Sequence, residues 1–233
     1  MRAANRGMRS AWFSLRRRRS NGPASGASDN SRTASAFIWR IVLVTLVLTA
    51  IMRLLVVEAF RIPSGSMENT LLQGDFILVN KLPFGSRLPF WHLRLPGWRN
   101  PQLNELLVFD WPPEPDVIFV KRVVGLPGDT LWMQADTLLR NGVAQNEPWV
   151  QLAAQGPGAI SQAWGPIIVP AGEYFVMGDN RDNSSDSRVW GTVPDSLVHG
   201  SAWRIYYSFE PDSTARIPWL SRIRWSRLGR LVH

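Results

Sequence analysis

Two serines and one lysine are the residues of this 233-residue chain best suited to covalent chemistry. Ser64 and Ser66 lie in Pro63-Ser64-Gly65-Ser66-Met67, and a serine among Gly and Pro is by itself ordinary turn chemistry. Lys121 lies in the apolar run Val117-Ile-Phe-Val-Lys-Arg-Val-Val124. Of 26 basic residues only Lys81 and Lys121 are lysines, so wherever the chain needs only positive charge it uses arginine. Arginine keeps its proton at every useful pH, whereas a desolvated lysine releases it. Burial lowers a lysine by several units from ~10.4, and a drop of roughly 3 units costs about 4 kcal/mol. A neutral lysine beside a serine hydroxyl takes its proton and activates the oxygen for attack on a carbonyl. Strand alternation places Lys121 and Arg122 on opposite faces. The competing expectation is an exposed lysine on an edge strand.

A third polar cluster, Gly178-Asp-Asn-Arg-Asp-Asn-Ser-Ser-Asp-Ser-Arg188, directly follows the apolar Tyr174–Met177 run. Read as a calcium loop from Asp182, it puts Ser187 where glycine is needed and Val193 where a bidentate glutamate is needed, so the match fails. It reads instead as an Asx-turn-rich loop held by Asp–Arg pairs. The histidines are His92, His199 and His233, and only His199 could complete a Ser–His–Asp arrangement, with no motif to orient it. There is no cysteine, which excludes a disulfide scaffold, a thiolate metal site and a cysteine nucleophile. No metal and no cofactor are expected.

These residues need elements to position them. Residues 1–36, rich in Arg, Ser, Gly and Asn, are expected to be a disordered tail. Phe37 to Val57 is an apolar run of 21 residues, the length of a transmembrane anchor. A buried core helix and a cleaved signal peptide are the alternatives, but a basic tail of 36 residues precedes the run, no clear small-x-small site follows it, and Leu54–Val57 extends it. Residues 1–40 hold nine Arg against Asp29, and the remainder holds seventeen charges of each sign. The basic excess therefore belongs to the tail, which argues against nucleic acid as a partner and places the N-terminus in the cytoplasm. From Glu58 onward, short runs rich in Val, Ile, Phe and Tyr alternate with Pro/Gly turns. Strands are expected at 75–79, 105–109, 117–124, 130–133, 173–177 and 202–207, with a hairpin around Asn141-Gly142. Residues 82–104 and 151–171 read as long loops. Residues 216–233 read as a basic tail, solvated or lying on anionic lipid.

Taken together, Pro63–Met67, Lys121-Arg-Val-Val-Gly-Leu-Pro-Gly-Asp129 and Gly178–Arg188 resemble three signature boxes of the bacterial type I signal peptidases, in the family's order and behind an N-terminal anchor. The resemblance runs from about residue 37 to 209. It implies a mainly β fold: an antiparallel catalytic domain of the kind shared with self-cleaving repressors, preceded by one transmembrane helix. It implies an extracytoplasmic body over 58–233 with a small cap insertion at about 130–172. It implies Ser66 as nucleophile, Lys121 as general base, and Ser64 with the Ser66 amide as oxyanion hole. Ser184 would orient the lysine, while Asp179, Asp186 and Arg188 would structure the site. Phe60, Ile62, Met67, Leu71 and Val120 match positions near the substrate pockets. The implied partners are signal-peptide-bearing preproteins and the lipid bilayer, with secretion machinery nearby.

Two departures stand out. Asn69 occupies a position where the family often has Pro, and is expected to loosen that turn. Leu103-Asn-Glu105 stands where an Arg-Gly-Asp-like sequence is common, so the turn glycine is missing. Two other readings share some of these features. A self-cleaving repressor would need a helical DNA-binding domain where this chain has its anchor, and a catalytically dead peptide- or lipid-binding module would be expected to lack Ser66 or Lys121.

Overall fold

A computed structural model describes residues 26–85, 87–88, 93–134, 136–150, 163–211, 214 and 216–232. His92, His233, most of the expected tail and residues 151–162 of the expected cap lie outside the described residues. The chain divides into two units, Met1–Leu46 and Val47–His233.

Helix α1 (Gly26–Ile51) is free of Gly and Pro after its first residue, and ends in one π-type turn, Met52–Val56. Its segment Ala34–Ile51 is long and apolar enough to cross a membrane, because a helix satisfies its own backbone hydrogen bonds within the segment. The helix begins eleven residues before the apolar run, within the expected tail. Once a helix is nucleated, each further residue adds a hydrogen bond at little extra ordering cost. Val57, expected to close the anchor, instead opens a strand and pairs with Asn80.

The second unit is built from antiparallel strands. In chain order they are β1 (Val57–Arg61), β2 (Asp75–Asn80), β3 (Arg87–Leu88), β4 (Leu93–Arg94), β5 (Leu106–Trp111), β6 (Glu114–Gly125) and β7 (Thr130–Gln134). There follow β8 (Thr137–Arg140), β9 (Val143–Ala144), β10 (Trp164–Ile168), β11 (Glu173–Met177), β12 (Val193–Pro194) and β13 (Val198–Ser208). The main sheet has the order β1-β2-β13-β5-β6-β11-β12, and a smaller sheet the order β10-β7-β8-β9. The smaller sheet occupies the expected cap region. Its β8–β9 hairpin turns at Asn141 (φ 52°) and Gly142 (φ 85°), the two positive φ values that a type I′ turn requires.

The six expected strands are present. Strand β1 was hidden because its first residue continues the apolar run. Strand β10 was hidden because Gly165 and Pro166 interrupt it, and the ladder to β7 shifts register between Trp164 and Ile167 to pass them. The expected loop 82–104 carries the short β3–β4 ladder.

The main sheet's core contains Ile62, Met67, Leu71, Ile77, Val79, Leu106, Val108 and Ile205, with Phe60 and Val120 against it. Val232 joins this cluster, so the C-terminal segment is not a solvated tail. The Arg227 guanidinium is buried against Asp75, donating from Nη2 to Oδ2 at 2.5 Å, and Arg204 bridges to Leu231. Asp75 is fully buried. An uncompensated carboxylate there would be strongly unfavourable, so one arginine of the five folds inward to neutralise it.

Candidate active site

Ser66 lies in the turn that joins β1 to β2. Backbone hydrogen bonds from Ile62 N to Asp75 O (2.8 Å) and from Gly74 N to Ile62 O (3.0 Å) close the base of that turn. Met67 and Leu71 are buried in the core, and Leu71 N donates to Met67 O at 2.8 Å. These two apolar side chains anchor the turn so that Ser66 is held between them and solvent.

Lys121 comes from β6, which lies between β5 and β11 and is no edge strand. Its register partner is Leu107. The side chain is 4% exposed, and Nζ donates to Ser66 Oγ at 2.5 Å. Nζ also sits 5.3 Å from the Phe119 ring centroid. Burial pushes the lysine from 10.5 down to about 8, against the opposing pull of Asp186 and Asp179 and with help from Arg188. Ser64 Oγ lies 3.5 Å from Ser66 Oγ, the outer limit of a hydrogen bond.

The polar loop after β11 frames the pair. Asp186 caps the short helix α2 (Ser187–Trp190), accepting from Arg188 N, and receives Arg188 Nε and Nη2 at 2.8 Å each. It also accepts from Gly178 N at 3.0 Å. Burial opposes its ionisation, but the Arg188 guanidinium and the Gly178 N–H hold it below the usual carboxylate range. Ser184 Oγ is buried with no hydrogen bond of ordinary geometry, so the expected bond to Lys121 is not formed. Ser184 lies close against Gly178, where an added Cβ would meet its Oγ at 2.2 Å.

Three residues with no role assigned from the sequence fasten the turn that carries Ser66. Asn180 N donates to Ser66 O at 3.1 Å, and its Nδ2 donates to Gly65 O at 3.2 Å and Glu68 Oε2 at 3.3 Å. Arg122, next to the lysine, is 1% exposed and grips Asp179 through Nε (2.8 Å) and Nη2 (2.7 Å). Thr70 Oγ1 donates to Asp179 Oδ2 at 2.5 Å and accepts from Arg122. Asp179 thereby ties β6 to the turn that carries Ser66. A second basic residue within an otherwise apolar strand was the available signal for Arg122. Nothing in the sequence distinguished Asn180 from the other polar residues of its loop.

A cavity of about 400 Å³ opens beside the Ser66–Lys121 pair. Phe60, Ile62, Met67, Ile118 and Val120 line it, with Ser64 also on its wall. Four of the five expected pocket residues are therefore brought together, while Leu71 sits in the core beneath. His199 pairs through Nε2 with Asp110 and stacks edge-on with Phe60 at 6.2 Å. The group on Ser66 Oγ is the lysine. No cluster of His, Asp and Glu among the described residues could hold a metal ion.

Both departures resolve into left-handed asparagines. Asn69 has φ 88° and Asn104 has φ 68°. Asparagine tolerates this region better than most residues, so Asn104 turns the chain where a glycine would. Asn69 does not loosen its turn: its Nδ2 donates to Trp149 O at 2.9 Å.

Residues 35–207 match the family model described as signal peptidase, peptidase S26. Signal peptidase I of Pseudomonas aeruginosa is 36% identical over 217 residues, covering 76% of this chain and 74% of that protein. Signal peptidase I of Pseudomonas fluorescens is 37% identical over 211 residues, with 76% and 74% covered. A crystal structure of a signal peptidase I from Enterococcus faecalis V583 is 31% identical, with a TM-score of 0.39 over 44% of this chain and 97% of its own.

Proposed function

This chain belongs to the signal peptidase family, peptidase S26, and on that premise we propose that it is a membrane-bound serine endopeptidase that removes N-terminal signal peptides from secreted preproteins with a Ser66–Lys121 dyad. The observation that carries this reading is the 2.5 Å contact between a buried lysine and a serine at the head of an apolar cavity.

The chemistry follows from the two groups. In its neutral form Lys121 accepts the Ser66 hydroxyl proton as Oγ bonds to the scissile carbonyl carbon. The Ser64 hydroxyl and the Ser66 amide are the donors proposed for the developing oxyanion, and losing one such donor typically costs ~10²–10³ in rate. The lysine ammonium then gives its proton to the departing amine as the C–N bond breaks. Water, deprotonated by the regenerated neutral lysine, releases the acyl group from Ser66. The buried, unbonded Ser184 hydroxyl is a proposed reserve acceptor for the lysine when it carries the extra proton. Asp179, Asp186 and Arg188 hold the frame in which the pair meets.

Apolar walls at Phe60, Ile62, Met67 and Val120 favour small aliphatic side chains before the cut, which suits small-x-small cleavage sites. The segment Ala34–Ile51 is the proposed anchor, and the arginines before it favour a cytoplasmic N-terminus with the body on the far side. Tethering to the bilayer that also holds the signal raises the effective concentration of enzyme over substrate.

The test is cleavage of a preprotein by the full chain in detergent. Ser66→Ala and Lys121→Arg should each abolish it while leaving the fold intact by circular dichroism. Lys121→Arg is the more informative, since it keeps a cation at the position and abolishes the capacity to deprotonate. Cleavage by that variant at the wild-type rate would overturn the general-base role.

A further inference from the structure

Residues 147–150 leave the β8–β9 hairpin as a short turn, closed by Val150 N donating to Glu147 O at 3.1 Å. This strap touches each of the three segments that make the site. The Arg122 guanidinium carbon lies 4.3 Å from the centroid of the Trp149 ring, on the strand that carries Lys121. Trp149 O accepts from Asn69 Nδ2, on the turn that carries Ser66. Glu147 Oε1 accepts from Arg181 Nη2 at 2.6 Å, and Arg181 Nε donates to Gly178 O at 3.1 Å, in the polar loop. Arg181 and Glu147 side chains are 2% and 9% exposed, so this pair is shielded from water.

The geometry points to Trp149 as a positioning residue for the Ser66–Lys121 pair, holding the turn that carries Ser66 and the strand that carries Lys121 in one register from the smaller sheet, while its neighbour Glu147 holds the polar loop. This inference rests on the dyad reading above. The aromatic ring over Arg122 attracts the guanidinium and covers one of its faces, beside a pair with Asp179 that is itself only 1% exposed on each side. The amide of Asn69 fixes the turn from the other side. A residue that only added packing would stabilise the domain without affecting the approach of Oγ to Nζ. A residue that sets their register governs the chemical step, since small misplacements of reacting groups cost up to ~10²-fold in rate.

The experiment measures kcat, KM and the pH profile of preprotein cleavage by the full chain in detergent. Trp149→Ala should lower kcat roughly tenfold or more with KM little changed. It should also move the acidic limb of the profile to higher pH. Water reaching Arg122 loosens its hold on Asp179, whose negative charge, with that of Asp186, favours the protonated lysine and is opposed by Arg188. Trp149→Phe keeps a ring over the guanidinium and should restore both. Wild-type kcat and an unmoved acidic limb in folded Trp149→Ala would overturn the inference, even if its melting temperature fell. Should Trp149→Ala not fold, Asn69→Gly decides, since it keeps the left-handed backbone and removes only the amide. A drop in its kcat supports the strap, and wild-type kcat overturns it. Activity remaining in Ser66→Ala would instead remove the dyad reading on which the inference stands.

Discussion

Lys121 Nζ and Ser66 Oγ meet at 2.5 Å although 55 residues separate them in the chain. The amine is buried in strand β6 and lowered to about 8. Only its neutral form can take the serine proton. We expect kcat/KM to rise about tenfold per pH unit on the acid side and to level off above roughly pH 8. Initial rates of preprotein cleavage across that range check this, and a flat profile below pH 8 would remove the neutral lysine from the mechanism.

The same burial affects stability, and the sign is fixed. The folded-state pKa lies below the unfolded one, so between about 8 and 10.5 the unfolded chain binds the proton that the folded chain has released. Stability contributed by this group therefore rises with pH through that window, and below it the full penalty of a buried ammonium is present. Lys121→Met removes the penalty. It should stabilise the domain at pH 7 by roughly 3 kcal/mol, a gain that shrinks as pH approaches 10.5. Denaturant melts of both proteins at pH 7 and above pH 10 test it, and a less stable Met variant at pH 7 would contradict it.

Gly178 is held between Ser184 and the backbone of Ser66, where an added Cβ would lie 2.2 Å from Ser184 Oγ and 2.6 Å from Ser66 O. Rotating the serine hydroxyl does not clear the Ser184 Cβ, also 2.6 Å away, so Ser184 or the carbonyl of the turn that carries Ser66 must shift. Gly178→Ala should destabilise the domain by about 1–3 kcal/mol and lower kcat more than it raises KM. Unchanged kcat would show that the turn tolerates the displacement.

Asp75 accepts from Arg227, Ser208 Oγ and Leu72 N, and is fully buried. Arg227→Met leaves that carboxylate without its counter-charge. The expected loss is about 3–5 kcal/mol, read as a lower denaturation midpoint. Arg222→Met, at an exposed arginine of the same segment, is the control and should change stability by less than about 0.5 kcal/mol. Equal effects of the two would show that the C-terminal segment contributes only its charge.

Much of the site was legible because each residue type limits what chemistry is available. A chain that uses arginine almost everywhere and places lysine within an apolar strand marks out the group proposed as the base. The apolar run before β1 reads directly as a membrane-length helix, and the alternating runs as strands. Asn180 and Thr70 were not legible, since a polar residue in a turn has the same composition whether it faces water or fastens a neighbouring loop. Nor was Arg227, which is one of several arginines in a segment that reads as uniformly basic.

The order of residues along the chain determined the inventory: an apolar helix, a strand-rich body, a serine in a tight turn and a lysine among aliphatic neighbours. The folded chain alone decided that β6 is an interior strand, which is what strips water from Lys121 and lowers its affinity for a proton. It also decided that Arg122, Asp179 and Thr70 lock two distant segments together, and that Arg227 turns inward. The physical reason is that desolvation and hydrogen-bond pairing depend on which surfaces meet across the sheet, and residue order restricts those meetings without specifying them.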